Sequence, residues 1–405
     1  MVWLNDGINI KISGKMKKYR HHPKTLLFAL CCLLQASFAL AQMPKPPIMG
    51  WSSWNHFRIH INEQMIREQA DAIISSGLYE AGYRYVNIDD GYFGGRDSAG
   101  ALFSDAKKFP SGMKALAAYI HSKGLKAGIY SDAGKNTCGS IWDHDPNGFG
   151  VGLYGYVQQD CRLFFNDWGY DFLKVDWCGG EKQKLDEQTE YTRIIEAVRA
   201  TNKDIVFNIC RWRFPGEWAI KIADSWRVSG DISDKFSSIL HIIDLNADLY
   251  KYASPGHYND MDMLQVGRGM DFDEDKTHFS MWCMMNSPLL AGNDLRNMSA
   301  QTISILGNRE LIAINQDIKY VQAQRLFRDN DIEVWVKRLG GGNQKAIAIM
   351  NRGEKEQTIS LTAEELGIGK DKEIRDLWMH HDLGRVGKER VFTIPKHGIV
   401  VLKVY

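Results

Sequence analysis

The sequence predicts an α/β fold, a (β/α)8 TIM barrel followed by a C-terminal antiparallel domain resembling a β-sandwich. The chain has 405 residues, of which 44% are hydrophobic, so it can bury a large core. As far as about Tyr320, strand-length apolar segments alternate with stretches of helical period, which is typical of a parallel sheet. Beyond that point strand-like runs follow one another, which indicates a second, all-β domain.

Residues 1–41 have the pattern of a signal peptide, and Met16 is the more ordinary start for one. Basic residues precede an apolar run over Thr25–Phe38, and Ala39-Leu40-Ala41 forms an A-x-A cleavage site. The run is short for a spanning helix, and the residues before Cys31 make a poor lipobox. We therefore expect export to the periplasm or the medium without a membrane anchor after cleavage; a retained lipid or membrane anchor is the alternative.

The catalytic domain is predicted over residues 43–318. Eight strand and helix units within about 250 residues favour a closed barrel over an open doubly wound sheet. The sequence has neither a P-loop nor a G-x-G-x-x-G that opens a helix after an early strand, which argues further against the open sheet. Helical period is clearest over Leu153–Trp168 and Tyr191–Val198. The strands are expected near Ile48, Tyr85–Ile88, Lys126–Tyr130, Phe172–Val175, Ile205–Ile209, Trp226–Ser229, His257–Tyr258 and Pro288–Ala291.

Residues 321–405 are predicted to form the antiparallel β domain. Short strand-like runs are separated by Gly, Asn, Asp and Lys turns, and only Thr362–Leu366 has a helical pattern. We expect a structural role packed on the barrel, with carbohydrate binding as the alternative. The predicted strands are Ile332–Lys337, Lys345–Met350, Thr358–Leu361, Val391–Ile394 and Ile399–Val404.

Charge and cysteine content exclude some classes of function. Fifty Lys and Arg against forty-nine Asp and Glu leave a net charge of +1, so the chain has no overall field to attract nucleic acid. Five cysteines follow the signal peptide, and no C-x-x-C pair among them indicates a metal site. One disulfide and three buried thiols is the simplest arrangement in an exported protein. No cofactor is expected, and a homo-oligomer is possible.

Acidic residues follow six of the eight predicted strands. In a (β/α)8 barrel the active site lies at the carboxyl ends of the strands, so these side chains are expected to meet there. Trp51, Trp54, Trp177 and Trp212 fall in the same loops, where an aromatic face can stack on a sugar ring or pack in the core. The polar residues at the strand ends are Asp89, Asp90, Tyr130, Asp132, Lys174, Asp176, Arg227, Asp231, Asp260, Asp262, Asn293 and Asp294.

Two of these carboxylates form a candidate catalytic pair. Lys174 and Asp176 are two apart on a strand, so both point into the mouth of the barrel, where the lysine is expected to lower the pKa of the carboxyl. Asp231 follows Arg227 by four residues in a glycine-containing loop and can face Asp176. Such a pair performs retaining glycoside hydrolysis. A structural ion pair is one alternative; a metal site is another, although the interleaved cations already supply countercharge.

Six motifs follow one another along the chain: Met49-Gly50-Trp51-Ser52-Ser53-Trp54, Asn87-Ile88-Asp89-Asp90-Gly91-Tyr92, Gly128-Ile129-Tyr130-Ser131-Asp132, Leu173-Lys174-Val175-Asp176-Trp177-Cys178, Asn259-Asp260-Met261-Asp262-Met263 and Ser287-Pro288-Leu289-Leu290. In this order they resemble the α-galactosidase (melibiase) family, glycoside hydrolase family 27. The resemblance covers the chain from about Pro47 to the C-terminus. The resemblance implies a (β/α)8 catalytic domain, a C-terminal antiparallel β domain, and retaining hydrolysis of terminal α-galactosides in oligosaccharides or polysaccharides.

The resemblance also implies roles for individual residues. Asp176 matches the nucleophile and Asp231 the acid/base, and Cys138 and Cys178 match a family disulfide. Asp89 and Asp90 together can accept hydrogen bonds from O4 and O6 of galactose, which discriminates against sugars that lack either hydroxyl. The residues expected to contact the sugar are Trp54, Asp89, Asp90, Tyr130, Lys174, Cys178, Trp212, Arg227, Asp262 and Met263.

Three residues depart from the family pattern and bear on the expected activity on α-galactosides. Arg211 stands where many relatives have an acid, which affects the group tolerated at the sugar 2-position; Gly91 replaces a frequent Cys, and Met261 a frequent Pro. β-L-Arabinopyranosides and α-N-acetylgalactosaminides are therefore alternative substrates for the same machinery. A sugar-binding protein without catalysis is the alternative from another class.

Overall fold

The computed structural model describes residues 44–405. The predicted signal peptide, with Met16 and Cys31, lies outside the described residues. Within them, every helix is too short or too polar to cross a bilayer.

Eight parallel strands form one sheet in the order β8-β1-β2-β3-β4-β5-β6-β7. The seventh and eighth strands are joined through Leu264, whose N–H donates to Leu290 O at 2.7 Å and whose carbonyl accepts from Gly292 N at 2.9 Å. The sheet therefore closes into the predicted barrel. The strands are β1 Met49–Ser52, β2 Tyr85–Asn87, β3 Lys126–Asp132, β4 Phe172–Asp176, β5 Val206–Ile209, β6 Ser225–Arg227, β7 Tyr258–Asp260 and β8 Leu289–Ala291.

Five of the eight longer helices around the barrel begin at a side-chain N-cap. Asn62 caps α1 by accepting from Met65 N, and Asp271 and Glu274 form a capping box at α6. The apolar stripe of Tyr191–Val198 is buried in α4, as its spacing predicts. The helices of six residues or more are α1 Glu63–Ser75, α2 Gly112–Ser122, α3 Val157–Arg162, α4 Glu187–Ala200, α5 Phe236–Asn246, α6 Phe272–Met284, α7 Ala300–Leu306 and α8 Arg309–Asn315.

Two local features of the barrel differ from the simple repeat. The helical stretch predicted over Leu153–Trp168 is α3 continued by a π-helical turn at Leu163–Asp167, and this wider turn accompanies burial of two consecutive rings, Phe164 and Phe165. A hairpin of Phe93–Arg96 and Leu102–Ser104 is inserted after β2, and the sequence analysis missed it.

The C-terminal domain contains eight strands, three more than predicted. A six-stranded antiparallel sheet has the order β9-β10-β11-β16-β13-β14, and β12 pairs with β15. The missed strands β9, β13 and β14 carry mostly exposed or half-buried side chains and lack the apolar alternation of an inner strand. The strands are β9 Gln324–Asp329, β10 Ile332–Arg338, β11 Lys345–Asn351, β12 Gln357–Thr362, β13 Glu373–Asp376, β14 His381–Arg385, β15 Glu389–Ile394 and β16 Ile399–Val404.

The helical pattern predicted at Thr362–Leu366 was wrong. This segment is a turn, in which the Glu365 carboxylate accepts from both Thr362 N and Thr362 Oγ1 at 2.8 Å. Gly367 follows with a φ of +66°, so the chain reverses before a helix can extend.

The β domain packs on α6 and α8 of the barrel. Thr277 Oγ1 on α6 donates to His397 O at 2.6 Å, and Arg375 on β13 pairs with Glu310 on α8 at 2.7 Å. Lys337 on β10 is buried and donates to Cys283 O and Ile314 O at 3.1 and 2.6 Å. Polar side chains thus satisfy the carboxyl ends of both helices across this contact.

Candidate active site

A disulfide organises the loops at the carboxyl ends of β3 and β4. Cys138 and Cys178 begin the short helices Cys138–Trp142 and Cys178–Lys182, and their sulfur atoms are bonded with a Cα–Cα distance of 5.2 Å. The implied pairing is confirmed. The other cysteines of the described chain, Cys161, Cys210 and Cys283, are free and buried, as the simplest arrangement predicted.

A cavity of about 340 Å³ opens beside this disulfide at the carboxyl ends of the strands. Side chains from the loops after β1, β3, β4, β5, β6 and β7 meet there, which is where a barrel places its chemistry. Of the predicted site residues, the cavity brings together Trp54, Lys174, Asp176, Cys178, Trp212, Arg227, Asp231, Asp262 and Met263, with Cys138.

Lys174 bridges two carboxylates at the floor of the cavity. Its Nζ lies 2.8 Å from Asp89 Oδ2 and 3.8 Å from Asp176 Oδ1, so the direct hydrogen bond goes to Asp89. Asp176 Oδ1 is buried and has no hydrogen-bond partner among residues 44–405. Asp145 and Asp275 also each have one buried carboxylate oxygen without a hydrogen-bond partner in this part of the chain, but of these three aspartates only Asp176 lines the cavity.

The expected lowering of the Asp176 pKa was wrong. Burial raises the pKa of Asp176 to about 6, and the opposing charge of Lys174 does not outweigh the desolvation. Strand spacing showed that the cation is near, but the depth of the carboxyl below the rim depends on the assembled loops.

Arg227 holds the other side of the cavity. Its Nη2 lies 2.6 Å from Asp262 Oδ2 and 3.2 Å from Asp231 Oδ1. The Asp231 side chain is 61% exposed; the burial that it does have acts to raise its pKa, but the charge of Arg227 and then that of Lys174 prevail and lower it. The two candidate catalytic carboxyls therefore have their pKa values displaced in opposite directions.

Asp262 is fixed by its backbone and by both carboxylate oxygens. It has a φ of +78°, which is strained for a residue with a Cβ. Its oxygens accept from Met263 N at 2.7 Å and Ile232 N at 2.9 Å, and its own N–H donates to Asp260 Oδ1 at 2.9 Å. These bonds tie the β7 loop to the loop that carries Asp231.

Asp89, Asp90 and Tyr130 lie deeper than the other predicted contacts. Asp89 lines a space of about 30 Å³ that shares Lys174, Arg227, Asp262 and Met263 with the main cavity. Asp90 is fully buried, and its oxygens accept from Gly139 N at 2.6 Å and Gly91 N at 2.8 Å. Burial raises the pKa of Asp90 to about 7. Tyr130 is also buried, and its hydroxyl accepts from Cys138 N at 3.2 Å.

Arg211 does not act where its position suggested. Its Nε donates to Glu187 Oε1 at 2.5 Å, and Arg213 Nη2 reaches the same oxygen at 2.8 Å, so Glu187 on α4 fixes both guanidinium groups. Between them, Trp212 has a φ of +60° and lines the cavity. The departure at Arg211 therefore leaves Trp212 as the side chain presented to a ligand.

The cavity includes residues that the sequence analysis missed. Arg58 lies over the Trp54 ring at 4.3 Å and pairs with Asp143 at 2.8 Å. Trp142, at the end of the short helix that Cys138 begins, is 68% exposed. The aromatic residue four positions after Cys138 was the only available signal for it. The others are Asn55, Ile141, Glu181 and Lys182.

A close group of Asp132, Cys138 and Cys178 has metal-like spacing but unsuitable chemistry. The sulfur atoms belong to the disulfide and offer no thiolate. Asp132 Oδ1 already accepts from Gly134 N at 2.6 Å and Gly179 N at 3.0 Å, so this carboxylate braces the two loops.

A family model described as Alpha galactosidase A matches residues 46–317, and one described as Alpha galactosidase C-terminal beta sandwich domain matches residues 329–404. The chain belongs to the α-galactosidase family. Alpha-galactosidase A of Cellvibrio japonicus (strain Ueda107) is 40% identical over 405 residues, which cover 94% of this chain and 97% of that protein. This member of the α-galactosidase family is accordingly a glycoside hydrolase.

Solved structures of the α-galactosidase family have the same fold. α-Galactosidase I from Mortierella vinacea superposes with a TM-score of 0.83 at 33% identity, covering 90% of this chain and 98% of that one. A family 27 β-L-arabinopyranosidase from Geobacillus stearothermophilus, in complex with arabinose, superposes with a TM-score of 0.79 at 25% identity. The superposition covers 90% of this chain and 98% of that one. The family thus contains proteins named for two different sugars.

Proposed function

We propose that the protein is an exported, retaining exo-α-galactosidase that removes terminal α-D-galactosyl residues from oligosaccharides or polysaccharides. The observation that supports this proposal is a pair of carboxyls that line one cavity, the buried Asp176 and the exposed Asp231. Lys174 lies beside Asp176 and Arg227 beside Asp231. The relatives named α-galactosidase support the sugar. Residues 43–318 would form the catalytic domain and residues 321–405 the β domain.

In the proposed mechanism, Asp176 is the nucleophile and Asp231 the acid/base. A carboxylate oxygen of Asp176 attacks the anomeric carbon while Asp231 gives its proton to the departing glycosidic oxygen, forming a covalent galactosyl–enzyme ester. Asp231 then takes a proton from water, and the resulting hydroxide oxygen displaces Asp176 from the anomeric carbon. Two inversions give net retention. Asp176 lines the cavity beside Lys174, and the exposure of Asp231 gives water access to that carboxyl.

The floor of the cavity suits the hydroxyl groups of galactose. Lys174 can donate to O3 or O4 while Asp89 accepts from a neighbouring hydroxyl, since these groups already form an ion pair at 2.8 Å. Arg227 would lie on the O2 side, with Asp262 as its fixed partner. A sugar that lacks one of these hydroxyls leaves a buried charged group unpaired, which is costly.

The first test is the relative rate on three aryl glycosides. The β-L-arabinopyranoside lacks the 6-hydroxyl that Asp89 and Asp90 are expected to bind, so we expect kcat/KM on p-nitrophenyl α-D-galactopyranoside to be about a hundredfold higher, ~2.7 kcal/mol of transition-state binding. The arabinopyranosidase relative makes that activity the second candidate function. A preference for the arabinoside or for the N-acetyl-α-galactosaminide would keep the fold and replace the proposed substrate. Hydrolysis of none of the three would favour a sugar-binding protein.

The pH dependence of kcat/KM reports the proton shared by the two carboxyls. The pKa of Asp176 is about 6 and that of Asp231 lies below its usual value. At any pH between these two values, the two carboxyls of the free enzyme together carry one proton. Above pH about 6 the pair loses the proton that the leaving group needs, so kcat/KM should fall about tenfold per pH unit. Initial rates at several pH values measure this slope, and a return to full activity at pH about 5 excludes inactivation. A flat profile up to pH about 8 would contradict it.

Substrate binding is expected to move that proton to Asp231. A bound sugar covers the exposed Asp231 and removes water from it, which raises its pKa, whereas sugar hydroxyls that donate to Asp176 lower the pKa of that carboxyl. The alkaline limb of kcat should therefore lie at a higher pH than the limb of kcat/KM.

Trp142 is positioned to contact the sugar beyond the galactosyl group. Its ring is 68% exposed at the mouth of the cavity, where a second pyranose can stack on it. We expect Trp142→Ala to raise KM for raffinose about tenfold, ~1.4 kcal/mol, and to leave the inhibition constant of free galactose unchanged. Phe149→Ala is the matched control, because Phe149 is a 58% exposed ring in the same β3–β4 connection but outside the cavity lining. Equal effects of the two variants would refute a specific contact.

A further inference from the structure

A second concave surface lies at one end of the C-terminal domain. A groove of about 1100 Å³ is formed where β10 and β16 end, where β11, β13 and β15 begin, and by the turn over residues 362–367. We call it the basic groove and define it by its six cationic side chains. They are Lys319, Arg338, Lys345, Lys370, Lys372 and Lys388.

The charges of the basic groove have no protein counterion. Among residues 44–405, no carboxylate lies within ion-pair distance of any of the six, and Glu364 is the only acid that lines the groove. Lys345 Nζ donates to a carbonyl oxygen, that of Gly367, at 2.5 Å. Several other cations of the same domain do have carboxylate partners. Buried Glu333, for example, receives Arg325, Arg328 and Arg352 within 3.6 Å.

This asymmetry is local. The whole chain carries a net charge of only +1, whereas the lining of the basic groove has six cations and one acid, so the positive charge is concentrated at this surface. Like charges that share a concavity repel one another within a screening length of about 8 Å. An anionic ligand that bridges several of them relieves this repulsion, and a groove concentrates the field along one line.

The shape and the residue types favour one class of anion. A concave groove fits a chain better than the flat surface of a bilayer. The apolar side chains that line it, Ala363, Ile368 and Val404, are aliphatic and offer no platform for nucleobases. Five of the six cations are lysines, which act as separate point charges on flexible stems and therefore suit single anionic groups spaced along a chain. Carboxylate or sulfate groups spaced along a polysaccharide match this pattern.

We propose that the basic groove binds an anionic polysaccharide and holds the protein on it. This site is separate from the catalytic cavity, and its binding does not depend on the roles of Asp176 and Asp231. The test is native gel electrophoresis of the full chain in gels that contain polygalacturonate, dextran sulfate, neutral galactomannan or no polymer. Retardation relative to the polymer-free gel should occur with at least one acidic polymer, weaken with added NaCl, and be absent with galactomannan. The two acidic gels distinguish carboxylate from sulfate.

Charge reversal in the basic groove should reduce the affinity at least tenfold. The test variant combines K370E, K372E and K388E. The control variant combines K107E, K203E and K355E, which change three exposed lysines outside the groove and alter net charge equally. Unchanged hydrolysis of an aryl galactoside and an unchanged Tm show that each variant is folded.

Three outcomes would overturn the proposal. One is an absence of wild-type retardation in both acidic gels, and another is equal loss of retardation in the control variant. The third is groove-dependent binding that is tighter to phosphatidylglycerol vesicles or to single-stranded DNA than to either acidic polysaccharide. The last would replace the polysaccharide with a membrane or a nucleic acid.

Discussion

Asp176→Ala is expected to lower kcat by about 10⁴-fold or more, equivalent to ~5.5 kcal/mol of transition-state stabilisation. The proposed nucleophile would be lost, and the methyl group of Ala would leave space against the anomeric carbon. Neighbouring groups keep their partners, because Lys174 retains its 2.8 Å contact with Asp89. Initial rates on p-nitrophenyl α-D-galactopyranoside measure the loss. A reduction of less than about tenfold would remove Asp176 from the role of nucleophile.

Azide should restore turnover in Asp176→Ala and reveal the geometry of attack. The anion fits the space of the missing carboxylate and approaches the face of the sugar opposite the leaving group, so the product should be β-galactosyl azide. NMR of the anomeric proton distinguishes this product from the α-anomer. Rescue that gave the α-azide would mean that azide entered from the side of Asp231, and the two roles would have to be exchanged.

The Asp176 carboxyl that activity requires is expected to lower the stability of the folded protein. Burial raises the pKa of Asp176 from 3.8 to about 6, so the ionised carboxyl destabilises the folded state above that pH by about 3 kcal/mol. The cost is absent below pH about 3.8, where the folded and unfolded forms are both protonated. The isosteric Asp176→Asn removes the charge. A higher Tm at pH 7, with the gain disappearing toward pH 4, would accompany its loss of activity.

The barrel could be predicted from sequence because its strands are buried on both faces. β1, β2 and β5 to β8 contain only buried residues; β8 and most of β5 are apolar runs that local pattern can identify, whereas β6 and β7 each end in a charged residue. The edge strands β9 and β14 carry polar, largely exposed side chains, and their pairing depends on partners distant in sequence. Such strands resemble loops in a single sequence.

In the candidate site, too, some features could be predicted from local sequence and others depend on tertiary structure. Strand ends predicted the place of Lys174, Asp176 and Arg227, because alternation along a strand fixes which side chains enter the mouth. The direction of the Asp176 pKa depends on how far the loops exclude water, which no local pattern contains. The contact of Arg211 with Glu187 is likewise tertiary, since it joins the loop after β5 to helix α4.

Asp231→Ala should lower activity by an amount that depends on the leaving group. On raffinose, whose leaving alkoxide needs a proton, we expect kcat to fall by about 10³-fold. On 2,4-dinitrophenyl α-D-galactopyranoside, bond cleavage needs little acid assistance, so the first step should stay fast while hydrolysis of the galactosyl–enzyme becomes slow. A burst of dinitrophenolate followed by a slow steady rate, with a lowered KM, is the expected observation.

The structure offers a matched control for this variant. Asp234 lies in the same loop, three residues after Asp231, but lines a different cavity. Asp234→Ala should therefore retain turnover on both substrates. In Asp231→Ala, Arg227 keeps Asp262 at 2.6 Å and the Ser229 and Gly230 carbonyls at 3.1 and 2.9 Å, so the guanidinium should not move.

Azide should accelerate the second step of Asp231→Ala, since it needs no general base, and should yield α-galactosyl azide. The ester to Asp176 would be attacked from the face that water normally uses, so the anomer is opposite to that expected from Asp176→Ala. The two variants together thus assign both carboxyls by product stereochemistry as well as by rate. Equal losses on both substrates, without azide acceleration, would show that Asp231 supports the site only through its contact with Arg227.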